Sequence, residues 1–403
     1  MAQIIITEQK KHIVTAVAED FEIEEFHVSA EETDQISFHT GDIIIGRVSN
    51  IVPNIKACFV DIFPGITGYL PLTDGMAYIS DLHKGGAYPV QGELILVQVE
   101  KEPTKTKSYT LTTNLSLVNR YAVLKPFESQ VHISSRISVA SAERERLLMI
   151  GREFAEKSGC GLILRSAASG IPEEQLKNSL DDLFAEIVRI RTLAAHGVQY
   201  ERLYQELPSY ISCIRESHVP IDQIQTDLPE VYRELSSYLK RAQPEDLPKL
   251  SLYENEMLSL SALYSIGSSF ERALKKQVWL KSGASIVIEP TEALISIDVN
   301  TGKAIKKHSE RSETFLQVNL EAAQEIARQL RLRNLSGMII IDFLDMAGKE
   351  EEERLIAVMR EALKRDTERA LVVDMTGLGL MEVTRHRSGK PLHEIMAGNA
   401  FSS

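Results

Sequence analysis

At 403 residues, 43% hydrophobic and 25% charged, the chain is too long for one ordinary core and reads as a globular protein of two or more domains. No apolar run approaches the ~20 residues that span a bilayer, and the start "MAQIIITEQKKHIVTAVAED" lacks the basic, apolar and small-residue order of a secretory signal. The net charge of −12 opposes nucleic acid as a partner only in the far field, because phosphate binding is decided within a Debye length of ~8 Å.

Residues 1 to about 38 read as short strands, rich in Ile and Val with polar interruptions. From Gly41 to about Ser116 the pattern is all-β, with some five short strands split by Pro-Asn and Pro-Gly turns and by the basic loop "KEPTKTK". That suits a small closed barrel of the OB type. Around Ala140 the period becomes helical in "SAERERLLMIGREFAEK", followed by the strand "GLILR". Pro172 then opens a helix with Leu176, Leu180, Leu183 and Ile187 on one face. Residues 205–258, broken by prolines, read as a small α+β segment.

The last third alternates strand and helix. Strands are expected at 285–289 and 293–299, then a long helix with Phe315, Ala322, Ala323, Ile326 and Leu330 on one face, stopped by Ser336-Gly337. The strand "MIIIDFLDM", a helix at 349–365 and the strand "ALVVDMT" complete a βαβαβ order, the signature of an open, mostly parallel sheet. The three cysteines, Cys58, Cys160 and Cys213, lie far apart without CxxC spacing, which points to a reducing cytoplasm rather than a disulfide framework.

The chemistry concentrates in "ALISIDVNTGK" (293–303). A strand-helix-strand crossover puts its two strands in one sheet, running the same way, and open α/β sheets place their sites at the strands' C-terminal ends. Asp298 ends the first strand and Asp342 the second, so adjacent strands would bring the carboxylates together. Asn300 shares the face of Asp298, because strand side chains repeat every two residues. Two such carboxylates repel unless a cation lies between them or one stays protonated, and a site of few carboxylates with open positions suits magnesium, or manganese as readily. The plain alternative is that each Asp caps the helix that follows it. Elsewhere, Phe59 and Tyr69 lie on neighbouring strand patterns of the barrel with Lys107 ending its basic loop. OB folds hold single-stranded nucleic acid on such aromatics, for which Tyr69 is the better surface candidate, while Phe59 taken alone reads as core. Arg165-Ser166, a fork donor and a hydroxyl, form a plausible phosphate clamp.

"GASIVIEPTEALISIDVNTGK", "NLEAAQEIARQLRLRNLSGMIIIDFLDM" and "GYLPL" resemble the ribonuclease E/G family of bacterial endoribonucleases, in order, over most of the chain. The fold class this implies is α/β, more closely an α+β assembly of subdomains. A ribonuclease-H-like subdomain (1–38 and 210–277) would be interrupted by the OB barrel (39–118) and a 5′-phosphate sensor region (119–209), with a deoxyribonuclease-I-like catalytic subdomain at 278–403. The resemblance places the magnesium aspartates on Asp298 and Asp342 and the supporting asparagine on Asn300. It places the 5′-monophosphate pocket on Arg165 and Ser166 (usually Thr), with Val123 and Arg136 near that pocket or on the RNA, and the barrel's RNA contacts on Phe59, Tyr69 (usually Phe) and Lys107. Lys303, Lys306 and Lys307 could screen the RNA backbone.

The activity implied is metal-dependent cleavage of single-stranded, AU-rich RNA with preference for 5′-monophosphorylated ends, in rRNA or mRNA processing or decay. The rival reading is a non-catalytic RNA-binding or ribosome-assembly factor on the same fold. Three departures stand out. No cysteine follows Cys213, so no structural zinc and no zinc-linked tetramer are expected, while a homodimer stays open. Gly377 stands where a basic residue is expected. No long scaffold region is expected after the catalytic part.

Overall fold

The computed structural model describes residues 2–20, 22–29, 37–80, 88–103, 107–138, 141–217, 219–255, 257–302, 311–346, 348–386 and 389–398. Lys303, Lys306 and Lys307, and the middle of the basic loop 101–107, lie outside the described residues. The chain forms two compact units, one of Met1–Glu32 with Pro208–Ser403 and one of Thr33–Leu207.

The chain opens in the first unit with an antiparallel meander, β1 (Ala2–Gln9), β2 (His12–Glu19) and β3 (Glu22–Val28). Ile4, Ile5 and Ile6 are all buried, the continuous apolar run of a strand covered on both faces.

The second unit begins with β4 (Ile43–Val52), β5 (Ala57–Phe63), β6 (Ile66–Pro71), β7 (Leu94–Lys101) and β8 (Tyr109–Thr112). They pair in the order β4-β5-β6-β8-β7, and β7 pairs back to β4, so the expected five-stranded barrel is closed. Ile44, Val60, Leu70, Val97 and Leu111 fill it. Next come β9 (Leu117–Val118), β10 (Ala122–Lys125), β11 (Val131–Ile133), α1 (Ala142–Ser158), β12 (Gly161–Leu164), α2 (Glu173–Ala194) and β13 (Arg202–Tyr204). The small sheet has the order β11-β12-β10-β9, and β11 and β12 run parallel on either side of the α1 crossover. Leu176, Leu180, Leu183 and Ile187 of α2 are buried, as their spacing requires.

The chain returns to the first unit through α3 (Ser209–Glu216), β14 (Ile221–Thr226), α4 (Pro229–Ala242) and β15 (Leu250–Leu252). β14 lies parallel to β1, so strands from both ends of the sequence share one sheet, β15-β14-β1-β2-β3. After α5 (Leu260–Leu263) and α6 (Ile266–Ala273), the last sheet is built from β16 (Gln277–Trp279), β17 (Ser285–Pro290), β18 (Ile295–Asn300), β19 (Gly337–Asp342), β20 (Ala370–Met375) and β21 (Leu380–Arg385). α7 (Arg311–Leu332) connects β18 to β19, α8 (Lys349–Leu363) connects β19 to β20, and α9 (Leu392–Gly398) follows β21. Phe315, Ala322, Ala323, Ile326 and Leu330 of α7 are buried, as their spacing predicts.

Two expectations are corrected. The last sheet is not mostly parallel: its order is β16-β17-β18-β19-β21-β20, and only β18 and β19 run parallel among the described strands. β21 folds back after the Thr376–Gly379 turn and inserts between β19 and β20. Apolar spacing marks a strand without giving its direction, which is why the turn was decisive. The stop of α7 is also not Ser336-Gly337. Asn334 adopts φ +49°, the Leu335 N–H reaches back to the Leu330 carbonyl at 2.9 Å, and the Asn334 N–H to that of Arg331 at 3.0 Å. That pair of bonds is the Schellman closure, with Asn doing what Gly usually does.

Candidate active site

β18 alternates buried and exposed along its length. Ile295, Ile297 and Val299 enter the core under α7, while Ser296, Asp298 and Asn300 face out. β19 does the same at its end, with Ile339 and Ile341 buried and Asp342 exposed. The parallel register pairs Asp298 directly with Asp342. Facing residues on neighbouring strands share a side of the sheet, one strand spacing of ~4.8 Å apart. The two carboxylates therefore stand side by side on the open face. Asn300 donates its Nδ2–H to Asp298 Oδ2 at 2.6 Å, which fixes that carboxylate and leaves the amide oxygen free of this bond.

The capping alternative fails for Asp342. The N-cap of α8 is Gly348, without a side-chain cap. Instead, the segment after Asp342 is pinned from α7: Asn319 donates from Nδ2 to the Leu344 carbonyl at 2.8 Å and accepts from the Leu344 N–H at 3.0 Å. Asn319 is fully buried. Sequence reasoning missed it, although the signal was present: a lone amide on the apolar face of a helix, four residues after Phe315. Gly302 closes the other strand. Its φ is +52°, and a Cβ there would lie 2.5 Å from the Gly283 carbonyl oxygen, so only glycine lets the chain turn immediately after Asn300.

Among the described residues no cluster of three or more His, Cys, Asp or Glu side chains is arranged to hold a metal. The donor set here is smaller, two carboxylates in register and an oriented amide, all oxygen. It fits a hard cation that keeps several waters and takes phosphate oxygens, the preference of magnesium or manganese. Gly377 lies in the turn that leads to Leu380, the register partner of Asp342. A Cβ at Gly377 would meet nothing within 4 Å. A cleft of about 1310 Å³ in the same unit, lined by Arg272, Glu325, Arg328 and their neighbours, does not include Asp298, Asn300 or Asp342. The acidic tips stand on an open surface instead, which suits a polymer that must lie across it.

In the other unit, Phe59 and Tyr69 are register partners on β5 and β6, with ring centroids 6.1 Å apart in an edge-on arrangement. Both are half-buried, while Cys58, Val60 and Leu70 point inward. The row continues outward to Asn50 on one side and Thr110 on the other. Lys107 is exposed, two residues before Tyr109, the partner of Gly68. The structure thus brings Phe59 and Tyr69 together, with Lys107 entering the next strand.

Arg165 follows β12, its N–H bonded to the Tyr121 carbonyl at 2.8 Å and its Nη1 to the Asn119 carbonyl at 3.2 Å. Ser166 begins the single turn Ser166–Ala168. Val123 pairs with Ile163 on the adjoining strand, so it shares the face of Tyr121 and Arg165. Arg136 is exposed in the turn after β11, which runs parallel to β12, so its turn and Arg165 share one edge of that sheet. Glu143 of α1 holds the far end of this loop, accepting from the Gly170 N–H at 2.8 Å and from Arg146 at 2.7 and 2.8 Å. The Arg146 guanidinium, with the Gly170 N–H, pulls the Glu143 carboxyl down to about 2.

A closed barrel with an outward aromatic pair, and an all-oxygen acidic edge on an open sheet, define a multi-subdomain α/β protein with an OB-like barrel. The sequence profile of the Ribonuclease E/G family matches residues 116–388. The chain is 33% identical over 391 residues to Ribonuclease G of Salmonella typhimurium (strain SL1344), covering 93% of this chain and 77% of that protein. Ribonuclease G of Escherichia coli (strain K12) gives the same values. Ribonuclease E of Nostoc sp. (strain PCC 7120) is 36% identical over 406 residues, 98% of this chain and 57% of that longer protein. The chain belongs to the ribonuclease E/G family.

Proposed function

We propose that the chain is an endoribonuclease that hydrolyses single-stranded RNA with a divalent metal ion held by Asp298 and Asp342. The observation that carries this reading is the register pairing of the two carboxylates on an exposed face, with Asn300 orienting one of them. Magnesium bound there would supply Lewis acidity and a water of lowered pKa. Asp298 and Asp342 supply the negative charge that holds the cation, Asn300 keeps the Asp298 carboxylate from rotating, and Asn319 keeps the exit of β19 fixed beside Asp342. Water adds at phosphorus and the upstream 3′ oxygen leaves, so the downstream fragment carries the 5′ phosphate.

Two further parts of the reading concern substrate choice. Arg165 and Ser166 would take a 5′-monophosphate through charge-assisted bonds. Phe59 and Tyr69 would stack bases, worth ~1–3 kcal/mol each and indifferent to base identity. A preference for AU-rich RNA follows because such segments are the least paired. No helix among the described residues is long and apolar enough to cross a membrane. We place the protein in the cytoplasm, where three unpaired cysteines and RNA substrates are at home.

The test is incubation of a 5′-monophosphorylated, AU-rich oligonucleotide with the chain and magnesium, then with a chelator. Cleavage should need the ion. Asp298→Asn should slow it by at least the ~10–100-fold that losing a mere outer-shell partner costs, while RNA binding persists. Undiminished cutting by that variant would reject the assignment, and binding without any cutting by the parent chain would favour the non-catalytic reading.

A further inference from the structure

Trp279 is the only tryptophan of the chain and is 66% exposed. An exposed apolar side chain is ordinary by itself. The position of this one is not. Trp279 pairs with Ser285, and Ser285 pairs with Asn300. In the next row Gln277 pairs with Val287, Val287 with Asp298, and Asp298 with Asp342. The alternate residues, Val278, Ile286 and Val299, form the third row between these two and turn toward the core. By strand parity Trp279 stands on the face of the acidic tips, in the row of Asn300, at a sheet edge whose strand also borders the cleft of Arg272, Glu325 and Arg328. Two strand spacings, roughly 10 Å, separate its backbone from that of Asn300.

The floor between them is low. Ser285 is 3% exposed because the Gln277 side chain reaches over it, donating from Nε2 to Ser285 Oγ at 3.2 Å, and Val287 is half-buried. No bulky side chain from this intervening strand rises between Trp279 and the amide of Asn300. A phosphodiester lying over Asp298 and Asp342 would thus have the indole as the neighbour of a flanking nucleotide. We infer that Trp279 stacks the base next to the scissile phosphate and thereby positions RNA across the acidic edge. The inference rests on the ribonuclease reading and adds a residue to it. Stacking needs a base free of its duplex partner, so the device selects single-stranded RNA at the cut itself and adds affinity without reading base identity.

A lone tryptophan is its own probe. The Asp298→Asn chain, which should bind RNA without consuming it, is titrated with the 5′-monophosphorylated oligonucleotide while tryptophan emission is followed. Anisotropy of a labelled copy of the same oligonucleotide measures binding in parallel. Emission should change saturably over the concentration range in which anisotropy rises. In the cutting-competent chain, Trp279→Ala should raise KM about tenfold, the size of one lost stack, with kcat within about twofold. Trp279→Phe should recover most of that loss, and the melting temperature of both variants should match the parent. RNA binding by anisotropy with unchanged emission, and an alanine variant that binds and cuts like the parent, would overturn the role of Trp279 and leave the nuclease standing. Absence of RNA binding by the parent chain would overturn the ribonuclease reading and this inference together.

Discussion

Two strand-helix-strand crossovers in this chain use one device for opposite charges. β18, α7 and β19 form the first; β11, α1 and β12 form the second. Each pair of strands is the one parallel pair of its sheet among the described residues. Parallel strands end on the same side, so whatever follows their last apolar residue is gathered at a single edge. The first edge gathers Asp298, Asn300 and Asp342. The second gathers the turn of Arg136 with Arg165 and Ser166. Topology selects the place, and on the function proposed above the side chains delivered there would select the ligand, a cation at one edge and a phosphate at the other.

If the second edge is cationic by purpose, removing its charge should matter for one class of substrate only. Arg165→Gln is expected to lower the preference for 5′-monophosphorylated over 5′-hydroxyl RNA by about tenfold, the loss of a charge-assisted pair of bonds. Cutting of the 5′-hydroxyl substrate should stay near the parent rate. Competition between the two oligonucleotides in one reaction measures the ratio directly. An equal loss on both would mean that Arg165 supports the fold, through its bond to Asn119, rather than reading a phosphate.

The two edges were unequally legible in the sequence. Asp298 and Asp342 could be placed because each ends an apolar strand, and residues that interrupt such a pattern announce themselves. The direction of the neighbouring strands could not be read. β20 has the composition of a parallel strand, and only the turn Thr376–Gly379 makes β21 its antiparallel partner. β16, three residues long, carries too few positions for any period, and so Trp279 was passed over. Asn334 was missed because an asparagine in the left-handed region looks like any polar residue until its φ is known. The basic edge was weaker still. β9, β10 and β11 are two to four residues each, and their pairing depends on contacts with β12 and α1 rather than on local propensity.

A smaller effect is expected from moving the acidic edge toward the basic one. Gly377 leads to the partner of Asp342, and a Cβ there would meet no neighbour within 4 Å. Gly377→Lys should lower KM for RNA by about threefold at low ionic strength, with kcat little changed. The gain should fade as salt is raised past ~0.15 M, where the Debye length is ~8 Å. Steady-state kinetics at two salt concentrations decide it. A salt-independent change would point to altered turn geometry instead of attraction for phosphate.

The smallest effect concerns what holds the basic edge in place. Glu143 bridges Arg146 and the Gly170 N–H, and Gly170 itself needs φ +79° to end the loop that begins at Arg165. Its carboxyl is held at about 2 against an ordinary 4.5. A lowered carboxyl pKa stabilises the fold fully above the unfolded value, and that contribution drains away as pH falls through the folded one. Because both partners are partly solvated, Glu143→Gln should cost only about 1 kcal/mol at pH 7. The gap between variant and parent should narrow as pH drops from about 4.5 toward 2. Urea unfolding at pH 7 and pH 3 tests the sign. A gap that widened in acid would mean that the carboxylate is unfavourable where it stands, and that Arg146 and Gly170 are placed by packing alone.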